Sequence, residues 1–451
     1  MTSSYYIETY GCSLNLSDTE FMEARLEEAG FLPAESAEDA DLLILNTCTV
    51  KDRTWFNFVK RVREYEKKKK RTSGGTFRPA LVIAGCIPRA NPDREILKDY
   101  GQLGTDALPE IVEVANAALE GKRIRNIESS RAWNRLNAPH ARKNPVIEIL
   151  PIAAGCLGSC AYCQTRFARG SLKSYPGEAV VDQAKKALDG GVREIWITAQ
   201  DTGAWGKDRG SQLPVLLEKL LETPGEYRVR LGMANPNHVV EFLDRLLEIF
   251  HDKRMFRFLH LPLQSGSNRV LELMNRKYRV EDFIKICEAA RRFDRDFSIS
   301  TDIIAGFPGE REEDFEKSLE VLERIRPAVV NRSRYSARPG TQASKMRSLP
   351  SKEISIRSRR LSRLVEKISL ENNRAWVGGK ENVLIDMQKR EDSVISRNLY
   401  YKSIIIPMEE IGVCERVRFR PGNFAEVRIT GATVYHLEAA PIKETGGGEE
   451  E

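Results

Sequence analysis

Three short apolar runs in the first 90 residues, at 5–10, 41–46 and 80–85, each end within two residues of a cysteine: Cys12 behind Gly11, Cys48 behind Thr47 and Cys86 behind Gly85. Amphipathic stretches separate the runs. Short apolar strands alternating with amphipathic helices specify crossover connections and hence a parallel sheet. Ligands of an open parallel sheet bind beyond the carboxyl ends of its strands, so three cysteines far apart in sequence are expected at one crevice. The intervening helices carry nothing unusual except a basic run at 60–71, with Lys67, Lys68, Lys69 and Lys70, which reads as a solvated helix end and loop or as a phosphate contact.

A polar, irregular segment at 128–145, containing Arg131, Trp133, Asn134 and Pro139, reads as a linker. A second strand and helix series follows, with strands expected at 146–153, 194–199, 227–233, 256–263, 298–305 and 329–335 and helices such as 214–221 and 239–249 between them. Six such units predict a partial barrel whose working face is the carboxyl ends of its strands. After Pro350, Leu361, Leu364, Val365 and Ile368 share one helical face, and residues 332–374 hold 12 Lys and Arg against 3 Asp and Glu. The runs 402–406, 416–420 and 426–429, separated by Pro and Gly, predict a small antiparallel barrel.

The expected chain is therefore α/β. It has an open parallel domain over 3–121, a linker over 122–145, a (βα)6 partial barrel over 146–371, a C-terminal β-barrel over 372–441 and a disordered tail over 442–451. A length of 451 residues suits about three domains. The net charge of +6 is too mild to identify a nucleic-acid partner alone. No run approaches 18 apolar residues, which excludes a membrane-spanning helix, and the first ten residues lack an export signal, so a cytoplasmic location is expected. In that reducing compartment eight cysteines point to metal or redox chemistry rather than to disulfides.

Cys156, Cys160 and Cys163 form a C-x3-C-x2-C triad directly after the first strand of the second series. Three closely spaced soft thiolates suit an iron–sulfur cluster. Structural zinc takes four ligands, and no fourth Cys or His follows nearby. A cluster on three protein ligands leaves one iron open to a substrate or cofactor. Cys287, in a helix, and Cys414, in the β-rich tail, read as ordinary buried thiols, and His260 as a packed strand residue.

The triad, with Tyr162 just before its last cysteine, resembles the hallmark of the radical S-adenosylmethionine enzymes. That resemblance implies a 4Fe–4S cluster whose open iron binds S-adenosylmethionine and cleaves it, with one electron, to a 5′-deoxyadenosyl radical. The segments Thr9-Tyr10-Gly11-Cys12, Asn46-Thr47-Cys48-Thr49-Val50 and Ala84-Gly85-Cys86 are similar to the three signatures of the methylthiotransferases. Those enzymes carry a second 4Fe–4S cluster, here implied on Cys12, Cys48 and Cys86, and a C-terminal TRAM barrel, OB-like, that binds RNA. The same resemblance implies Gln200 and Asp201 near the methionyl part of S-adenosylmethionine, Gln264 and Ser265 on the next face, and the 303–310 segment with Ile304 and Gly306 against adenine. Taken singly, each of these also fits a tight turn without a ligand, as does Arg338-Pro339-Gly340-Thr341.

Residues 164–170 and 197–206 resemble the archaeal and eukaryotic branch, which acts on N6-threonylcarbamoyladenosine beside the anticodon of tRNA. Cys12 is followed by Ser13-Leu14-Asn15, which departs from the isopentenyladenosine branch. The implied partners are tRNA, at its anticodon stem-loop, and an electron-donor protein, with no membrane. Alternatives are methylthiolation of isopentenyladenosine or of a ribosomal-protein side chain, and a non-catalytic iron–sulfur RNA-binding protein. Two open triads argue against the last, since structural clusters usually have four protein ligands.

Overall fold

The computed structural model describes residues 2–49, 52–71, 79–128, 135–389, 392–412 and 416–442. The strands Ser4–Thr9, Leu42–Thr47 and Ala80–Gly85 form within a residue of their expected places. They lie side by side in one parallel sheet. Along the middle two, Leu42, Ile44, Val82 and Ala84 face one apolar layer while Leu43, Leu45, Leu81 and Ile83 face another. That two-sided burial is why these strands read as unbroken apolar runs. The sheet has six strands rather than three: Leu32–Pro33 adds to one edge, and Gly101–Gly104 and Arg125–Asn126 to the other. The added strands are two to four residues long and mostly lack apolar side chains, so they carry no periodic signal.

Six parallel strands follow in sequence order: Ile147–Pro151, Glu194–Thr198, Arg228–Leu231, Phe258–His260, Ser298–Ala305 and Val329–Arg334. They pair as two groups of three, joined by a bridge between Val229 and Met255. The (βα)6 partial barrel is thereby formed. The helix expected at 239–249 is broken into Pro236–Val239, a tight turn and Leu243–Ile249. A 24-residue helix, Ser351–Arg374, buries Leu361, Val365 and Ile368 as its spacing predicts. Its Arg357, 2% exposed, is held by Glu310, Glu312 and Glu353.

The C-terminal barrel is closed, from Lys380–Lys389, Ser393–Arg397, Ser403–Pro407, Phe424–Ala432 and Leu437–Pro441, with the fifth strand between the third and the fourth. Its third and fifth strands are parallel, through Ile404 and Leu437, which corrects the all-antiparallel expectation. The reason is parity: five strands in a closed ring cannot all alternate in direction. Residues 416–420 are a turn, not a strand. Phe419 donates back to Arg416 and drops into the barrel core, leaving Val417 exposed. Cys414 and 443–451 of the expected tail lie outside the described residues. So do Lys69 and Lys70 as side chains, whereas Lys68 is exposed and paired with Glu38.

The described part of the expected linker is tied down. Ala141 donates to Glu20 O, Lys143 pairs with Glu23, and Arg142 pairs with the buried Glu148 of the first barrel strand. The helix Ser13–Glu28 is thus covered on one side by the N-terminal sheet and on the other by the linker and the barrel, and most of its residues are buried.

Candidate active site between two cysteine triads

Cys12, Cys48 and Cys86 stand at the ends of three adjacent strands and converge. Cys12 precedes the helix Ser13–Glu28, and Cys86 opens the one-turn helix Cys86–Ala90. The approach is tight enough that a Cβ on Gly11 would lie 2.8 Å from Cys48 Cβ. Asn15, fully buried, ties the group together: its Oδ1 is 3.3 Å from Cys12 Sγ, and its Nδ2 donates to Thr47 O at 3.0 Å and faces Cys86 Sγ at 4.0 Å. Asn46 fixes Asn15 in turn by donating to its backbone oxygen. A hydrogen bond from Cys48, opposed by burial and aided by Arg169, lowers the Cys86 thiol to about 6. Crowding around the Cys12 thiol raises it, although that residue keeps an exposed face.

The second triad sits on the loop after the first barrel strand. Each sulfur has a donor: the Gly158 amide to Cys156 at 3.3 Å, the Thr165 amide to Cys163 at 3.3 Å, and Arg276 Nη1 to Cys160 at 3.1 Å. Donors aimed at sulfur fit thiolates. Burial pushes the Cys156 thiol up to about 12, with the Asp201 charge adding to it, so a cationic metal centre is what would draw its proton off at neutral pH. Among the described residues no three His, Cys, Asp or Glu are arranged around a single metal ion. Two all-cysteine triads instead fit polynuclear clusters, each with one iron left without a protein ligand.

The remaining expected residues divide by their partners. Tyr162 packs edge-on against Phe307 in a small apolar cluster that includes Ile304. Gln200 Oε1 is buried without a hydrogen-bond partner in the described structure, an open acceptor at a strand end. Asp201 is engaged by the Asn235 amide at 3.0 Å and Asn235 Nδ2 at 2.6 Å, and Asn235 accepts from Arg276. Its carboxylate therefore acts on Cys160 through two side chains. Gln264 holds a left-handed backbone, φ +66°, and bridges to Ile303. Ser265 is fully buried and accepts from the Ser267 amide, so it is turn structure. Gly306, at φ +81°, has Ile354 of the long helix 2.6 Å from where a Cβ would stand, which makes close helix packing its local requirement. His260 is more than a packed residue: its Nε2 lies 3.0 Å from Asp302, which also accepts from Asn331. Cys287 is buried in the barrel core, which raises its thiol.

Sequence reasoning misses Arg276, Asn235, Arg169 and Asp18, because polar residues in turns and helices give no signal of burial. Asn15 and Asp18 do share a helical face three residues apart, behind Cys12.

The segments that carry the two triads pack on one another. Ser13, next to Cys12, bonds Thr198 at the end of the second barrel strand at 2.6 Å. Gln164, next to Cys163, donates to Asn91 at 3.3 Å, and Thr105 donates to Ala168 O at 2.5 Å. A cavity of about 200 Å³ borders Cys48 of the first triad and Gln164, the neighbour of Cys163, and is lined also by Trp55, Phe56, Arg94 and Arg338 among others. The Arg94 guanidinium stacks 3.9 Å over the Trp55 ring, and Phe56 is 67% exposed at the rim.

Residues 4–104 match Uncharacterized protein family UPF0004 and residues 150–322 match the Radical SAM superfamily, so each triad falls in its own matched region. The chain is 40% identical over 434 residues to a Pyrococcus horikoshii protein named "Probable threonylcarbamoyladenosine tRNA methylthiotransferase", covering 96% of this chain and 98% of that one. It is 34% identical to the human threonylcarbamoyladenosine tRNA methylthiotransferase over 447 residues, covering 97% of this chain and 74% of that one. The chain belongs to this methylthiotransferase family. As a member it is a radical S-adenosylmethionine enzyme, which accounts for the barrel and its triad.

Solved structures agree in fold. A radical S-adenosylmethionine methyltransferase, TsrM from Kitasatospora setae with cobalamin and a [4Fe-4S] cluster bound, matches with TM-score 0.53 and 14% identity, over 76% of this chain and 74% of that one. The cobalamin-dependent S-adenosylmethionine radical enzyme OxsB matches with TM-score 0.50 and 12% identity, over 81% and 56%. Among the described residues, no helix is long and apolar enough to cross a membrane.

Proposed function

We propose that this methylthiotransferase converts N6-threonylcarbamoyladenosine at position 37 of tRNA to its 2-methylthio derivative, by C–H activation, sulfur insertion and methyl transfer. The observation that carries the reading is a pair of cysteine triads on segments that pack together, with a cavity of aromatic and cationic side chains bordered by Cys48 of one triad and by Gln164, next to Cys163 of the other. One triad alone would suit many radical reactions; a second beside it suits delivery of sulfur to the same carbon.

In this reading Cys156, Cys160 and Cys163 hold one 4Fe–4S cluster and Cys12, Cys48 and Cys86 a second. Bound S-adenosylmethionine with the first cluster supplies hydrogen abstraction from unactivated carbon, which no side chain can perform. The chain's own residues orient the parts. Gln200 Oε1, buried without a partner among the described residues, would accept from the cofactor's amine. Tyr162, Ile304 and Gly306 form the apolar wall on the adenine side, with Gln264 and Ser265 shaping the neighbouring turn. Asp201 holds Asn235, and through it Arg276, against Cys160. The target base enters the cavity out of the stacked loop, as base-modifying enzymes and RNA readers require, with Phe56 and Trp55 as stacking surfaces. The threonyl group carries a carboxylate, and Arg94 and Arg338 present positive charge to it. An isopentenyl group carries no charge to attract those cations, whereas the threonyl carboxylate does, which favours the threonylcarbamoyl substrate.

Domain boundaries at 3–121, 146–371 and 372–441 divide the labour into sulfur handling, radical generation and a TRAM barrel that grips the anticodon stem-loop. An electron-donor protein in the cytoplasm would supply the electron that this chemistry consumes. The test is expression in a host whose tRNA has threonylcarbamoyladenosine but no methylthio derivative, followed by nucleoside mass spectrometry. A methylthio mass on isopentenyladenosine instead, or on no nucleoside, overturns the substrate.

A further inference from the structure

Arg169 ends the one-turn helix Thr165–Arg169, six residues after Cys163, yet its side chain reaches across to the helix that Cys12 caps. Its Nη2 donates to Asp18 Oδ2 at 2.5 Å, and Asp18 lies one turn beyond Asn15 on the helix that Cys12 caps. Arg135, from the segment between the two domains, grips the other Asp18 oxygen. All three side chains are buried: Asp18 0%, Arg169 5% and Arg135 7% exposed. Burial opposes ionisation of Asp18, but the two guanidinium charges outweigh it and hold the carboxyl below its ordinary value. The helix Thr165–Arg169 packs directly on Cys86–Ala90, and through Asp18 the arginine is fixed to the helix that Cys12 caps.

The charges do not balance within this group. One arginine neutralises Asp18; the second leaves a net positive charge in a dry interface. Among the described residues no other carboxylate pairs with Arg169 or Arg135. A buried cation without an anion is strongly unfavourable. The N-terminal triad, on the two helices that Arg169 joins, would supply that anion with its sulfurs in the thiolate form.

We infer that Arg169 is a positioning residue for the N-terminal triad: clamped by Asp18, it carries a fixed positive charge from the loop of one triad to the sulfurs of the other. Two consequences follow. The charge favours the more negative, reduced state of a cluster on Cys12, Cys48 and Cys86, because net charge and hydrogen bonds to sulfur set cluster potentials. It also favours an anionic sulfur ligand at that cluster's open iron. The inference rests on the reading that the N-terminal triad holds a cluster.

The experiment uses the full chain with Cys156, Cys160 and Cys163 all replaced by Ala, reconstituted anaerobically with iron and sulfide, so that only the N-terminal triad can be loaded. Iron content is measured first, and an EPR-monitored redox titration gives the midpoint potential. Arg169→Gln should shift that potential to more negative values with the EPR line shape retained, and Arg169→Lys should restore it most of the way. If Arg169→Gln fails to hold iron, Asp18→Asn is titrated, which keeps the arginine and releases its clamp; a displaced potential is expected there too. An unchanged potential in the iron-loaded Arg169→Gln chain, or in Asp18→Asn where it is the one titrated, overturns the inference while leaving the proposed function standing. No iron in the parent chain overturns both.

Discussion

At the scale of single residues, the two triads differ in what holds them, and that difference separates their roles. The second triad takes donors from its own loop and from Arg276, whereas in the first Asn15 accepts from Cys12 and turns its Nδ2 to Cys86. Cys156→Ala, Cys160→Ala or Cys163→Ala should therefore abolish both 5′-deoxyadenosine and methylthio product. Cys48→Ala should keep 5′-deoxyadenosine formation under anaerobic reduction and yield no methylthio nucleoside, since the barrel has its own core. Chromatography of the cofactor products and mass spectrometry of digested tRNA measure the two yields. Arg94 offers a sharper probe of the substrate. On a stem-loop RNA bearing threonylcarbamoyladenosine, Arg94→Gln should lower kcat/KM about tenfold or more, the range for a lost charge-assisted hydrogen bond. The same RNA with the threonyl carboxylate as its methyl ester should be used about equally by both proteins. An equal loss on acid and ester would mean that Arg94 does not meet the carboxylate.

At the scale of elements, the long helix Ser351–Arg374 is seated on the barrel by contacts that its apolar face alone does not disclose. Ile354 fills the space above Gly306, and Arg357 enters a nest of three glutamates, two of them just after the fifth strand. A methyl at 306 meets both a left-handed backbone and Ile354 Cγ1 at 2.6 Å. Gly306→Ala should destabilise the chain by about 1–3 kcal/mol, read as a lower denaturation midpoint. Adding Ile354→Ala should recover part of the loss, because it removes the clash but not the backbone strain. Full recovery, or no loss in the single variant, would show that packing does not explain the glycine.

At the scale of the whole molecule, the C-terminal barrel docks on the radical barrel through a buried acid pair. Glu194 of the second barrel strand is fully buried and accepts from Trp196; Asp386 of the C-terminal barrel is 3% exposed and accepts from Arg397 at 3.0 Å. Burial first, and then the Glu194 charge, raise Asp386 from 3.8 to about 9 despite Arg397. Burial raises Glu194 as well. The folded pair thus keeps a proton that the unfolded chain releases above about pH 4. Since the folded state binds more protons in that window, stability is full below about pH 4 and falls as pH rises toward about 9. Asp386→Asn, which stays neutral, should flatten that slope and raise Tm at pH 8 relative to the native chain. Melting across pH 6–9 checks the sign. The proposed RNA contact is on the same barrel, where Arg416 and Arg420 are exposed on the turn beside its core. Replacing both by Gln should weaken tRNA binding and lower the salt slope by about one to two, as when that number of phosphate contacts is lost. An unchanged slope would move the contact surface elsewhere.

Sequence alone determined the elements whose signal is local. The strands ending at Cys12, Cys48 and Cys86, the six barrel strands, the helix face of Leu361, Val365 and Ile368, and the two cysteine triads all follow from apolar periodicity and from cysteine spacing, which neighbouring residues carry. Tertiary structure decided what depends on contacts between distant segments. The strands Gly101–Gly104 and Arg125–Asn126 exist because a sheet edge is there to pair with, and 416–420 turns because Phe419 finds a core. Asp201 is a support because Asn235 and Arg276 reach it, and the helix Ser13–Glu28 hides polar residues on nearly every side because a second domain covers its outer face. A buried Asp18 looks like any surface aspartate in sequence; only the arrival of Arg169 and Arg135 from more than a hundred residues away stabilises its charge in the interior.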